Sequence, residues 1–313
     1  MKKTNKKMNK KGIFFTILVI VMLSLFAASF MLYSTFKSRE STQKRIESMN
    51  TFLFSVEKDL AREVYISGFR SIMIIEKKIV ETGTFSQNTT SSMHELFFNG
   101  TIDNEPQELM IGAIFSDIQN DINFNAEKLN VEVNITEPLL QITQEDPWNV
   151  KIVLQTHLTM RDRKNLASWD KTETTISFVP ITNFEDPIYT LNTNNLVTNS
   201  IVKTPYENFV SGSNIENLSS HATNSYYKAS PSAPSFIDRL EGKLSSANPN
   251  GIESLVNLHE LSNQGLSIQQ KSAVDYIYFS ANNPESHHIT GMPEWFMLDN
   301  AHLEDYNADS LGE

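Results

Sequence analysis

The 313-residue chain carries 26 basic and 37 acidic residues for a net charge of −11, and its 40% apolar content suits one large folded domain or two modest ones. It contains no cysteine, which excludes disulfides, thiolate metal sites, a cysteine nucleophile and a lipid linked through cysteine. Six of the basic residues (Lys2, Lys3, Lys6, Lys7, Lys10 and Lys11) fall in the first 12 positions, leaving 20 basic against 37 acidic groups in the rest, a balance that repels nucleic acid as a partner.

After this basic leader (residues 1–12), Ile13 to Tyr33 is 21 residues without a charge, enough for a helix spanning about 30 Å of hydrocarbon. The reading is a transmembrane helix (13–33) with the lipid bilayer as partner. The lysines stay cytoplasmic by the positive-inside rule, and the bulk of the chain is extracellular on a single-pass anchor. Three fates of this run compete. It is an uncleaved signal anchor, or a signal peptide with Ile13 to Phe26 as its core and Ala27-Ala28-Ser29 as the cut. Against the cut, Phe30-Met31-Leu32-Tyr33 continues the apolar run. In the third, Lys10-Lys11-Gly12 followed by Ile13-Phe14-Phe15-Thr16 resembles the leader of type IV prepilins and archaeal pilin-like proteins. That resemblance covers mainly residues 1–80. It implies a peptidase cut after the glycine, with Lys11, Gly12 and Ile13 as the processing site. Ile17 stands where bacterial members carry a glutamate used in filament assembly.

Beyond the span, apolar residues recur at Ile46, Met49, Leu53, Val56, Leu60, Val64, Phe69, Ile72, Ile75 and Ile79, mostly at steps of three and four. This predicts one amphipathic helix continuous with the membrane segment, on the order of 100 Å in all, with Gly68 as a bend and Gly83 as its stop. Large aromatics at Phe54, Tyr65 and Phe69 favour a core face packed on the protein's own sheet. The same steps also fit a homo- or hetero-oligomer seam along the helix.

Two short helices are predicted around Asn99-Gly100-Thr101, the second starting near Pro106. "LNVEVNI" (129–135) alternates as a strand that Glu137-Pro138 should end. "WNVKIVLQTHLTM" (148–160) is the clearest strand, "RDRKN" its turn, and "KTETTISFVPI" (171–181) the return. "DPIYTLNTNN" (186–195) closes a first domain at 34–190, and 191–234 reads as a polar linker or surface loop. The C-terminal region, 235–313, opens with a helix in "SFIDRLEG", capped by Ser235 with Asp238 and stopped at Gly242. A second helix is expected in 251–265, a strand in "AVDYIYFSA" (273–281), and an aromatic core segment in "GMPEWFMLD" (291–299). The fold class is therefore α+β: a membrane helix running into a long amphipathic helix on an antiparallel sheet, then a smaller α+β region. "DPIY", "PSFIDRLEG", "GIESLVN" and "DYIYF" resemble segments of single-pass archaeal surface proteins, a resemblance that implies a compartment and an architecture but no chemistry.

No G-x-S-x-G, H-E-x-x-H, P-loop or G-x-G-x-x-G occurs, so no catalytic or cofactor residue is assigned and no enzyme is expected. The densest constellation is His287, His288, Glu294, Asp299, His302, Glu304 and Asp305. The adjacent histidines point to opposite sides, so at most one could join His302 at a zinc ion. Asp305, Asn307 and Asp309 imitate a calcium loop, but Ser310 replaces its turn glycine. Asp238 and Glu241 beside Arg239 read as a carboxylate pair or as surface ion pairs. Sequons at Asn88, Asn99, Asn134 and Asn217 lie beyond the apolar run. The expectation is a membrane-anchored extracellular structural or interaction protein, such as a pilin-like subunit. The alternative is a tethered cell-envelope hydrolase, whose sign would be a cleft joining two or more of His259, His287, His302, Glu294 and Asp299 in 235–313.

Overall fold

The computed structural model describes residues 10–245 and 248–312, so positions 1–9 of the basic leader lie outside the described residues. A single helix, α1 (Lys10–Thr82), carries Gly12 and Ile13 in its first turns. At 73 residues it is about 110 Å long. Its N-terminal part is long and apolar enough to cross a membrane, and none of that apolar window is covered by the rest of the chain. From Met49 onward the same helix turns one face inward: Met49, Leu53, Val56, Leu60, Val64, Ile72, Ile75 and Ile79 are buried. Ile46, Phe54 and Tyr65 belong to the outer surface instead, so those aromatics do not form the core face expected of them.

Helix α2 (Thr89–Asn99) follows, its first turn capped by Asn88, which accepts from the Ser91 N–H, and its end closed at Gly100. The second helix does not start at Pro106, which lies in the small hairpin β1 (Thr101–Ile102) and β2 (Glu105–Pro106). Helix α3 begins later (Phe115–Lys128) and buries Phe115, Ile118, Ile122 and Ala126. The main sheet is antiparallel, ordered β3 (Val131–Asp146), β4 (Asn149–Asp162) and β5 (Ser168–Pro180). Glu137-Pro138 does not end β3. The register passes from Thr136 opposite His157 to Leu139 opposite Gln155, one extra residue on β3, with Glu137 at φ 54°. This is a bulge on an edge strand, where a proline is tolerated because the outer edge needs no donor.

Helices α1 and α3 cover one face of this sheet, over Ile135, Ile142, Val150, Ile152, Leu154, Leu158, Met160 and Val179. Three polar contacts set the register of α1 on it. Arg45 donates to Asp162 at 2.7 Å, Lys171 pairs with Glu57, and Ser177 Oγ donates to the Ala61 carbonyl at 2.7 Å. Gly68 is no bend in this arrangement, because α1 continues through it as one helix. Its missing side chain makes room for the sheet: a Cβ there would lie 2.1 Å from Ile152 Cδ1 and 3.2 Å from Val179 Cγ2. Gly68→Ala is therefore expected to destabilise the chain by about 1 kcal/mol or more, even though alanine is the better helix former. Ile152→Val, which removes the clashing methyl, should recover part of that loss. Thermal unfolding of both single variants and the double variant checks it, and strictly additive losses would remove this contact from the explanation.

Residues 191–234 are not a polar linker. They hold α5 (Glu216–Thr223) and β6 (Tyr227–Ser230) and bury Val197, Ile201, Phe209, Val210, Leu218 and Tyr227. The rest of the C-terminal region is made of short pieces. Helices α4 (Pro187–Asn192) and α6 (Phe236–Leu240) flank the former stretch, with β7 (Gly251–Ser254) pairing β6. Then come α7 (Leu258–Asn263), α8 (Asp275–Tyr278), the pair β8 (Ser286–His288) and β9 (Met297–Asp299), and α9 (Asn300–Asp305). The opening of 251–265 is thus strand before helix, and 275–278 is helical where a strand was expected. Phe296 and Leu298 plug the core as anticipated. One apolar cluster runs from Met49 on α1 through the sheet to Phe236, Ile252 and Leu258, and the Phe69, Phe184 and Phe236 rings meet in series, tilted, at 5.2 and 5.9 Å.

Candidate functional site

The C-terminal region is organised around charged side chains sealed inside it. Helix α6 starts with a full capping box: Ser235 Oγ accepts from the Asp238 N–H, and the Asp238 carboxylate accepts from the Ser235 N–H. This fixes the helix so that Arg239 points inward, where it is wholly buried. Its guanidinium donates to Asp186, to Asp275 at 3.0 Å and to the Ile252 carbonyl, and stands 5.6 Å over the Tyr227 ring. Asp186 also caps α4 through the Ile188 N–H and accepts from Tyr227 OH at 2.8 Å. Asp275 accepts from Ser254 N–H at 3.1 Å and Ser254 Oγ at 2.8 Å, and that hydroxyl meets Tyr189 OH at 2.8 Å. Burial, with the charge of Asp186 against the attraction of Arg239, raises the Asp275 carboxyl above its ordinary value.

A second cluster lies beside it on the other side of β7. His302 on α9 meets Asp299 through Nδ1 at 2.8 Å, and Asp299 also accepts from Ser272 Oγ at 2.6 Å. His302 Nε2 faces Tyr276 OH at 3.0 Å and the Glu253 carboxylate at 3.4 Å. Glu253 is fully buried and lies 3.3 Å from Lys228 Nζ. Burial works against a charged imidazole, but Asp299 and Glu253 outweigh it and raise His302 to about 10. Burial and the nearby Lys228 charge push His221 down to about 3, so it stays neutral next to Phe209 and Tyr306.

Of the residues singled out in the sequence, the fold joins His302 with Asp299, brings the Asp305 carboxylate within 4.8 Å of His302, and leaves the others apart. His259, His288, Glu294 and Glu304 are exposed, and His287 bonds Asn300 at 2.7 Å on the surface. Asp299 and His302 are buried, packed under Ser272 and Tyr276. Asn307 accepts from the Phe209 N–H, and Asp309 is exposed, so these two are not arranged as a calcium loop with Asp305. Asp238 and Glu241 each have a structural partner of their own. Asp238 serves the capping box, and Glu241 accepts from the Thr89 N–H at 2.8 Å and binds Lys243. All four sequon asparagines, Asn88, Asn99, Asn134 and Asn217, are exposed.

Two features were missed. Arg239 read as a surface charge, and Glu76 was not singled out at all. Glu76 lines a groove of about 480 Å³ with Phe69, Met73, Val80, Phe184 and Pro187, and its Oε1 is sealed without a hydrogen-bond partner. The signal for Arg239 was present in its apolar neighbours Phe236, Ile237 and Leu240, which leave no exposed face on so short a helix.

No protein-family model, no curated protein and no solved structure matches the chain.

Proposed function

We propose that this chain is a single-pass membrane protein whose body lies outside the cell and serves a structural or interaction role, as a pilin-like subunit of a surface or secretion assembly. The observation that carries the reading is the division of one continuous helix. The apolar part of α1 is left uncovered, while the same helix from Met49 to Ile79 is clasped by the sheet. A soluble protein does not leave a charge-free helical segment of that length in water, and a bilayer supplies the missing apolar surroundings. A body fixed rigidly to a membrane helix through Arg45, Glu57 and Gly68 is also the plan by which pilin-like subunits present a head group. Self-association would run along the exposed side of α1, where Phe54, Tyr65 and Met73 face outward.

Because the chain has no cysteine of its own, single cysteines report topology cleanly. Ser213→Cys on the exposed body is expected to react with a membrane-impermeant maleimide on intact cells, and Asn5→Cys only after lysis. The reverse pattern overturns the orientation. The mass of the mature chain separates the three fates of the leader: a start at Ile13 supports pilin-type processing, a start at Met1 leaves a plain anchor, and a start at Phe30 overturns anchoring.

A further inference from the structure

Glu253 and His302 of the second buried cluster and the half-exposed Asp305 beside them bring ligand atoms within 4.8 Å of one another. We propose that they bind one divalent transition-metal ion, with zinc best suited to their mixture of imidazole nitrogen and carboxylate oxygen. The proposal is independent of the membrane reading.

The histidine is already oriented as a ligand. Asp299 holds Nδ1 at 2.8 Å, which directs Nε2 toward Glu253, and a carboxylate behind the imidazole is the usual support of a metal-bound histidine. His302 and Asp305 sit three residues apart on α9, so both face the same side of the helix. Glu253 is fully buried, yet neither of its oxygens accepts a hydrogen bond of ordinary geometry; its neighbours stand at ion-pair range instead. A metal ion that takes the place of these ion pairs would find both carboxylate oxygens free of shorter hydrogen bonds.

Lys228 is the competitor for the position. Its ammonium lies 3.3 Å from Glu253 and 3.9 Å from the Asp305 carboxylate, and it donates to the Asp305 carbonyl at 3.1 Å. Its side chain is 14% exposed and Nζ stands 4.1 Å from the Tyr306 ring centroid, so a metal ion would enter only as the head group swings out past that ring while the stem keeps its packing. A divalent ion brings two positive charges, the same number that the Lys228 ammonium and a protonated His302 supply, so the buried carboxylates stay neutralised after the exchange. Tyr276 OH, released from Nε2, has Ser232 Oγ at 3.5 Å as its other partner. The imidazole ligand disfavours calcium and magnesium, which take oxygen. The bound ion would tie β7 to α9 in a chain that has no disulfide to do so.

The test uses the full chain in detergent, stripped with a chelator and then titrated with zinc chloride or calcium chloride by calorimetry and metal analysis. One zinc per chain and no calcium is expected, with the unfolding temperature raised by zinc. Asp305→Asn, on the half-exposed ligand where folding is spared, should lose the bound zinc, and Lys228→Met should tighten binding. His287→Ala with His288→Ala should bind zinc as the parent does. Absence of stoichiometric zinc, full binding by Asp305→Asn, or loss of binding in the His287/His288 variant overturns the proposal.

Discussion

Arg239→Met is expected to destabilise the chain by about 3–5 kcal/mol, measured as the shift of the urea unfolding midpoint. Methionine fills much of the same space, so the loss does not come mainly from a cavity. It comes from Asp186 and Asp275, which stay fully buried after their shared cation is gone. Two carboxylates in that position either ionise without compensation or take up protons and lose the hydrogen bonds they accept from Tyr227 and Ser254. Adding Asp186→Asn and Asp275→Asn to the arginine variant should therefore recover part of the stability. A loss below about 1 kcal/mol in the single variant would mean that water reaches the triad, against its burial. Since α4, α6, β7 and α8 all meet at this point, the same substitution should loosen the whole C-terminal region and raise its amide exchange first.

Glu76→Gln is expected to stabilise the protein, and to do so increasingly as pH rises. Burial first, then the charges of Glu185 and Asp186, hold the Glu76 carboxyl up to about 9. In the unfolded chain it returns to the ordinary carboxylate range, about 4.3. Between these two values the folded protein holds a proton that the unfolded chain has released. Folding is therefore progressively disfavoured as pH climbs through that window, and the penalty is absent below it. At pH 7 the penalty reaches about 3–4 kcal/mol from this group alone. Glutamine keeps the shape without the charge. The two proteins should unfold alike at pH 4, and the variant should be the more stable at pH 8. A difference that does not change with pH would show that Glu76 ionises freely in the groove.

Why an acid with this liability sits at that position follows from its surroundings. The groove it lines is apolar on Phe69, Met73, Phe184 and Pro187, and its rim carries Lys77 and Glu81. Nothing in the sequence marked Glu76, because the position of Pro187 and Phe184 against that side of α1 is not visible from α1 itself.

The long helix was the most legible element, since a charge-free run followed by apolar steps of three and four is a local pattern repeated over many turns. The two clear strands were legible for the same reason, with Val150, Ile152, Leu154, Leu158 and Met160 on one side of β4. The errors came where local rules met a neighbour. Glu137-Pro138 read as a strand end, yet an edge strand can absorb it as a bulge. Gly68 read as a bend, yet Ile152 occupies the space its side chain would need. Residues 191–234 read as a linker because their apolar residues are sparse. Six of them, Val197, Ile201, Phe209, Val210, Leu218 and Tyr227, are nevertheless buried by partners distant in sequence, while Leu196 and Val202 stay exposed.

The four segments picked out by resemblance, "DPIY", "PSFIDRLEG", "GIESLVN" and "DYIYF", had no chemistry attached to them. They hold Asp186 and Tyr189, Arg239, Glu253 and Ser254, and Asp275 and Tyr276, and the fold brings all of these onto the two polar clusters beside β7. Composition and period alone determined the charge-free span, the helix continuous with it, the sheet and the α+β class, because hydrophobic pattern and helix propensity act between near neighbours. The tertiary structure alone decided that Arg239 is the hub of the core rather than a surface charge, and that His302 pairs with Asp299 and Glu253 rather than His287. An ion pair forms between groups that are close in space, and its partners' spacing along the chain carries no mark of it.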